Sequence, residues 1–174
     1  MTTESSHDDS SIIGRLSNYV VDSSKGKLPE EVALKGKHHI LDTIAAMVSG
    51  TTLEPGRLAI KYAEAQGGTA EAQVVGAPIL TNAVTAAMAN GILAHSDETD
   101  DSHAASGTHP GCAIVPAAMA MADKNDRSGE TLLNAVVLGY DVGCRVMRAL
   151  RPTGNPMQAH TGRMFSSHAV GGVF

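Results

Sequence analysis

Apolar residues recur every three to four positions along most of this chain, in blocks divided by Gly, Pro and polar turns. Ser11 to Ser23 sets Ile12, Ile13, Leu16, Tyr19 and Val20 on one helical face, and Lys25-Gly26-Lys27 ends it. Pro29 opens a second helix to about Ser49. Glu30 and Glu31 sit in its first turn, where the helix dipole favours acids, and Ile40, Leu41, Ile44, Ala45 and Val48 form its apolar stripe. Asp42 lies beside that stripe and reads as a partnered polar group. Pro55 begins a shorter helix to about Gln66. Ala72 to Gly76 is short, β-branched and bounded by turn residues, which predicts one extended segment. Thr81 or Asn82 caps a fourth helix whose expected inward face is Val84, Ala87, Met88, Gly91 and Ile92, with His95 one turn further on as a hydrogen-bonded core residue.

A fifth helix is expected from Gly111 to Lys124, with Ile114, Val115, Ala118, Met119 and Ala122 inward and Pro116 near its first turn. Ser128 caps a long helix to about Leu150, with Leu133, Val136, Val137, Tyr140, Cys144 and Met147 on its core face. Arg145, Arg148 and Arg151 at its end read as compensation of the helix dipole. Arg151 to Gly162 is a loop, and a small-residue helix starts after Ser166 where the chain stops. That abrupt end reads as a truncated protein. The pattern predicts an all-α fold with at most one short extended segment.

Composition narrows the picture. The 174 residues are enough for one core-forming domain, and 43% of them are hydrophobic. Aromatics are 3% and Trp is absent, so the core must be built from Ala, Val, Ile, Leu and Met. A net charge of −5 with no basic run argues against nucleic acid as a partner. No apolar run reaches membrane-spanning length, which argues against a membrane. Cys112 and Cys144 lack metal-type spacing and read as buried thiols. Residues 1–10 read as a frayed acidic tail with neither signal nor transit pattern, hence a cytoplasmic protein.

Between the fourth and fifth helices lies AHSDETDDSHAASGTHPGCAIVP, Ala94 to Pro116. It gathers His95, His103 and His109 with Asp97, Glu98, Asp100 and Asp101. Such groups are costly to bury, and functional residues concentrate on loops held by rigid scaffold. A solvated connection is the bland alternative. The spacing matches neither a zinc-helix motif nor a calcium loop, so no metal is expected. Nucleophilic hydrolysis lacks its Gly-x-Ser-x-Gly elbow. General acid–base chemistry suits the loop, because it needs an imidazole titrating near neutrality beside orienting carboxylates. His160 and His168 are available from later in the chain to join it.

Several short motifs, in order, resemble the MmgE/PrpD family. They are Leu28-Pro29, Leu41-Asp42, Ser49-Gly50, Gly68-Thr69, Glu71-Ala72, Val74-Val75-Gly76, Ala89-Asn90-Gly91, Ala94-His95, Glu98, Asp100-Asp101-Ser102-His103, His109-Pro110-Gly111 and Val115-Pro116-Ala117. The resemblance runs from about Ile12 to Phe174. That family includes 2-methylcitrate dehydratase, cis-aconitate decarboxylase and iminodisuccinate epimerase. The resemblance implies a large helical domain plus a smaller lid domain in a homodimer, without metal or other cofactor. It implies that residues 11–174 are part of the helical domain, with the lid absent.

Carried over by position, His109 matches the proton-transfer histidine, and Glu98 stands where many members have Asp. Asp101-Ser102 matches an Asp-Thr pair on the pocket wall. The later motif places His directly after an aromatic residue, whereas His168 follows Phe165 by three positions. The expected catalytic residues are therefore His109, His103, Asp101 and Glu98, with Ser102 and His168 binding substrate. The expected function is that of a cofactor-independent lyase or isomerase acting on small di- or tricarboxylates by proton transfer next to a carboxylate. The alternatives are an inactive helical remnant that acts through association, and a metal-dependent hydrolase.

Overall fold

The structure, a computed structural model, describes residues 11–96 and 98–150. His160 and His168 lie outside the described residues. Among the described residues there are six helices: α1 (Ile12–Ser23), α2 (Glu30–Gly50), α3 (Glu54–Gln66), α4 (Ala83–His95), α5 (Gly111–Lys124) and α6 (Gly129–Leu150). Two three-residue strands, β1 (Ala72–Val74) and β2 (Ile79–Thr81), pair antiparallel with Gln73 opposite Leu80. The fold is all-α with this one hairpin. The extended segment expected at Ala72 to Gly76 is its first arm. The second arm was not separable by pattern from the lead-in to α4. No helix among the described residues is long and apolar enough to cross a membrane.

Local chemistry sets the boundaries. Ser11 Oγ accepts from Gly14 N at 3.0 Å, Asn82 Oδ1 from Thr85 N at 2.9 Å and Ser128 Oγ from Thr131 N at 3.2 Å, each satisfying an amide the first helical turn leaves free. Gly67, at φ 55°, ends α3 in the left-handed region open to glycine.

Helix α4 is the centre of the molecule and packs on α5, α2 and α3. Its buried face is Ala83, Ala86, Ala89, Asn90, Leu93 and Ala94. This reverses the expected face: Val84 is 80% exposed, and Met88 and Ile92 are exposed as well. α4 is apolar nearly all round, so periodicity does not choose a side, and close helix approach selects the small residues. The α2 stripe is rotated in the same sense. Gly36, Thr43, Ala46, Met47 and Gly50 are buried while Leu41 and Val48 are exposed, and Asp42 faces solvent.

At the tightest point a Cβ on Gly50 would stand 2.0 Å from the Leu93 carbonyl oxygen, and one on Gly56 2.1 Å from that of Gly50. The backbones of α2, α3 and α4 therefore touch directly. Met47, Leu93, Val74, Val115 and Val136 fill the core around this contact, each burial stabilising by about 1.5–3 kcal/mol.

The inward faces expected for α5 and α6 hold in part at full burial: Ile114 and Val115, then Leu133, Val136 and Met147. Pro116 is the exception, lying inside α5 rather than in its first turn. A proline there leaves the Cys112 carbonyl without its helical partner. That oxygen faces Gly91, where a Cβ would come within 3.0 Å. α1 buries none of its residues fully; of its expected face Ile12, Ile13 and Tyr19 are exposed and Leu16 and Val20 partly buried, and Tyr19 OH donates to Asp141 Oδ2 on α6.

Candidate active site

The loop between α4 and α5 folds its polar side chains into three groups. The first lies at the end of α4. Asp100 has a fully buried side chain, and its two oxygens lie 3.1 and 3.0 Å from His95 Nδ1. His109 Nδ1 is 3.4 Å from Asp100 Oδ1. That separation is in ion-pair range but lacks hydrogen-bond alignment. Among the described residues His109 Nδ1 is thus the one buried side-chain polar atom without a hydrogen-bond partner. The two rings tilt against each other with centroids 5.3 Å apart. On the outer side His95 Nε2 lies 3.6 Å from Glu98 Oε1, and Glu98 is mostly solvent-exposed. Glu98 has φ 59°, a left-handed backbone that costs a non-glycine residue on the order of 1 kcal/mol.

His95 and His109 are each about a third exposed. His109 Nδ1 is inaccessible, so the exposed third of the side chain lies on its other atoms. An open apolar groove of about 630 Å³ runs between α4 and α5, walled by Met88, Ile92 and Ala113 and ending at His95 and Cys112.

The second group centres on Asp101. Its Oδ1 accepts from Gly111 N, the first amide of α5, at 2.9 Å. Its Oδ2 accepts from Tyr140 OH at 2.7 Å and faces His39 Nδ1 at 2.9 Å. Pro110, at the N-cap of α5, offers no side-chain bond, so Asp101 serves in its place, and its charge complements the helix dipole. The phenol of Tyr140 is pushed well above its ordinary pKa, first by burial and then by the Asp101 charge.

The third group is a tight turn. His103 pairs through its backbone with Thr108, and its Nδ1 faces Ser106 Oγ at 2.7 Å. Ser106 Oγ also lies 2.7 Å from Thr108 Oγ1 inside the protein. His103 is thus anchored to its own turn, and Ser102 is exposed.

Of the expected site residues, His109 and Glu98 join one group through Asp100 and His95, Asp101 forms another, and His103 a third. His95 is not the core residue the pattern predicted; it is about a third exposed and faces two carboxylates. Asp100, His39 and Tyr140 were missed as site residues. Asp100 was visible only as one acid among several, and nothing in the sequence links His39 or Tyr140 to the loop. Cys112 and Cys144 are half-buried rather than buried. Cys112 Sγ donates to the His109 carbonyl at 3.1 Å, and its pKa is pushed well up by burial and then by the Asp100 charge.

One ligand atom each from His95, Asp100 and His109 lie within 4.8 Å of one another, a set able to hold a metal ion. The 3.1 and 3.0 Å separations of His95 Nδ1 from Asp100 are also those of ordinary hydrogen bonds, which account for the His95 part of this set without an ion.

A profile of the MmgE/PrpD N-terminal domain matches residues 14–174. The cis-aconitate decarboxylase of Homo sapiens is 34% identical over 127 residues, covering 72% of this chain. The cis-aconitate decarboxylase-like protein oryM of Aspergillus oryzae is 27% identical over 178 residues, covering 98% of the chain. The matched part spans 26% of the human protein's length and 37% of the Aspergillus protein's.

Proposed function

Because this chain belongs to the MmgE/PrpD family, as its N-terminal domain, we propose that it supplies the proton-transfer machinery of a lyase for small di- or tricarboxylates. The observation that carries this reading is His109. Its Nδ1 is buried beside a fully buried carboxylate while about a third of the side chain is exposed, an arrangement that suits an oriented acid–base imidazole.

In a decarboxylation, the bond to the departing carboxyl carbon breaks and carbon dioxide leaves. The electron pair left on the adjacent carbon takes the proton that a doubly protonated His109 ring donates from Nε2, leaving the neutral ring, which is reprotonated from water. In a dehydration, the neutral ring instead accepts the proton next to the carboxylate, the hydroxyl leaves as water on a proton drawn from solvent, and the ring returns its proton to solvent. The similarity to a cis-aconitate decarboxylase and a cis-aconitate decarboxylase-like protein favours the first.

Asp101 holds the start of α5 and thereby the position of His109, two residues earlier. Glu98 and His103 complete the proton-handling set, and Ser102 and His168 meet the substrate carboxylates. No metal or other cofactor enters this reading. A homodimer in the cytoplasm belongs to the same proposal. The exposed apolar residues Val84, Met88 and Ile92 on α4 support burial against more protein.

The test is an assay of the full-length gene product on cis-aconitate, 2-methylcitrate and iminodisuccinate in deuterated water. Turnover with deuterium entering the carbon next to a carboxylate supports the reading. A folded protein inert on all three refutes it.

A further inference from the structure

Asp100 is a wholly buried carboxylate whose ion-pair neighbours among the described residues are two imidazoles, His95 and His109. A buried charge is tolerated where hydrogen bonds satisfy it. A carboxylate only accepts, so an imidazole nitrogen turned toward it must carry the hydrogen. Both rings present Nδ1 to Asp100, and the neutral form of each then has its lone pair on Nε2.

We propose that Asp100 is a positioning residue that fixes His95 and His109 together with the hydrogen on Nδ1, so that Nε2 is the atom through which His109 exchanges a proton with the substrate. This rests on the proton-transfer reading above. The two rings are not held equally. His95 engages both Asp100 oxygens at hydrogen-bond distance, whereas His109 stands at 3.4 Å without alignment. His95 is therefore the firmly held ring and His109 the looser one, and the carboxylate keeps acceptor sites for His109. Catalytic hydrogen bonds of this kind are often long without ligand and tighten when it binds. His95 is then a second positioning residue, one that holds Asp100 in place beside His109.

The tautomers can be read directly. In the protein labelled with ¹⁵N-histidine, long-range proton–nitrogen correlation at a pH where the rings are neutral should show His109 and His95 as Nδ1–H. Asp100→Asn, whose amide can donate to the ring, should move His109 toward Nε2–H, and Asp100→Glu should retain Nδ1–H. The same change of carboxylate to amide behind a catalytic imidazole costs roughly 10⁴-fold in turnover elsewhere through the wrong tautomer. Asp100→Asn should accordingly lower kcat of the full-length enzyme by about 10²–10⁴-fold with little change in KM, and Asp100→Glu should recover part of the loss.

A His109 already in the Nε2–H form in the unsubstituted protein overturns the proposal, and that measurement needs no variant to fold. So does an Asp100→Asn protein that folds, keeps Nδ1–H and keeps its kcat. Zinc retained stoichiometrically by His95, Asp100 and His109 also overturns it, because both Nδ1 atoms would then be ligands instead of donors. Correct tautomers in a protein inert on all three acids would sink the proton-transfer reading and leave the role of Asp100 standing.

Discussion

Asp101 and Gly111 are joined by a 2.9 Å hydrogen bond from the first amide of α5 to a carboxylate ten positions earlier. This closes the candidate loop on itself and fixes where α5 begins. A Cβ on Gly111 would stand 2.6 Å from Thr43 Oγ1, 2.7 Å from Asp101 Oδ1 and 2.8 Å from Tyr140 OH. Gly111→Ala is therefore expected to break up the Asp101 group and to destabilise the fold by about 3 kcal/mol, combining overpacking with lost hydrogen bonds. Urea unfolding of the variant against the parent measures it; a change under about 0.5 kcal/mol, within the usual range for surface substitutions, would contradict it.

His109→Gln should leave unfolding unchanged within about 0.5 kcal/mol, since the ring is a third exposed and makes no aligned bond. In the full-length enzyme kcat should fall by about 10²–10⁴-fold, the usual contribution of a general acid or base. Equal kcat in variant and parent would remove His109 from the chemistry.

Stability should decline at alkaline pH. Burial raises the pKa of the Cys112 and Cys144 thiols and of the Tyr140 phenol, so the folded protein holds these protons more tightly than the unfolded chain does. Their contribution is complete below the unfolded pKa values, about 8.5 for a thiol and about 10 for the phenol, and is lost as pH rises past them. Melting temperature measured from pH 8 upward should fall first on the thiol step and more steeply past about pH 10. Tyr140→Phe should reduce the second part of the decline; an unaltered profile would mean that Tyr140 does not supply it.

Gly50→Ala should be among the most damaging single changes to the scaffold, because its new methyl meets the Leu93 backbone, which cannot rotate away. A loss of about 3 kcal/mol or more, or failure to accumulate folded protein, is expected. Near-parental stability by thermal melting would show that α2 and α4 can separate without cost.

Much of the helical layout was legible in the pattern because the Gly, Pro and polar turns mark the helix ends and because α6 pairs one apolar face with one polar face. The face of α4 was not. With Ala, Val, Met, Ile and Leu around its whole circumference, burial was decided by side-chain size at the backbone contact, which no single-helix pattern encodes. The same limit applied to the site. His109 and Glu98 could be singled out by position within a motif. The choice of Asp100 as the buried acid depends on how the loop turns after Glu98, whose left-handed φ nothing nearby in the sequence announces. His39 and Tyr140 reach Asp101 from α2 and α6, so their part in the site exists only after those helices have packed.

The hairpin carries a consequence for the company this domain keeps. Gln73, at the middle of β1, has its amide donating to Asp123 Oδ2 at 3.2 Å and its carbonyl accepting from Asn90 Nδ2 at 3.0 Å, while Asn90 Oδ1 takes the Val75 amide at 2.8 Å. The outward row of β1 is thus answered by side chains from α4 and α5. An unanswered row of that kind is a template on which another chain's strand can add. Here the template is already filled, so the sheet ends at two strands, and intermolecular strand addition along β1 is blocked without any proline or charge in the strand itself.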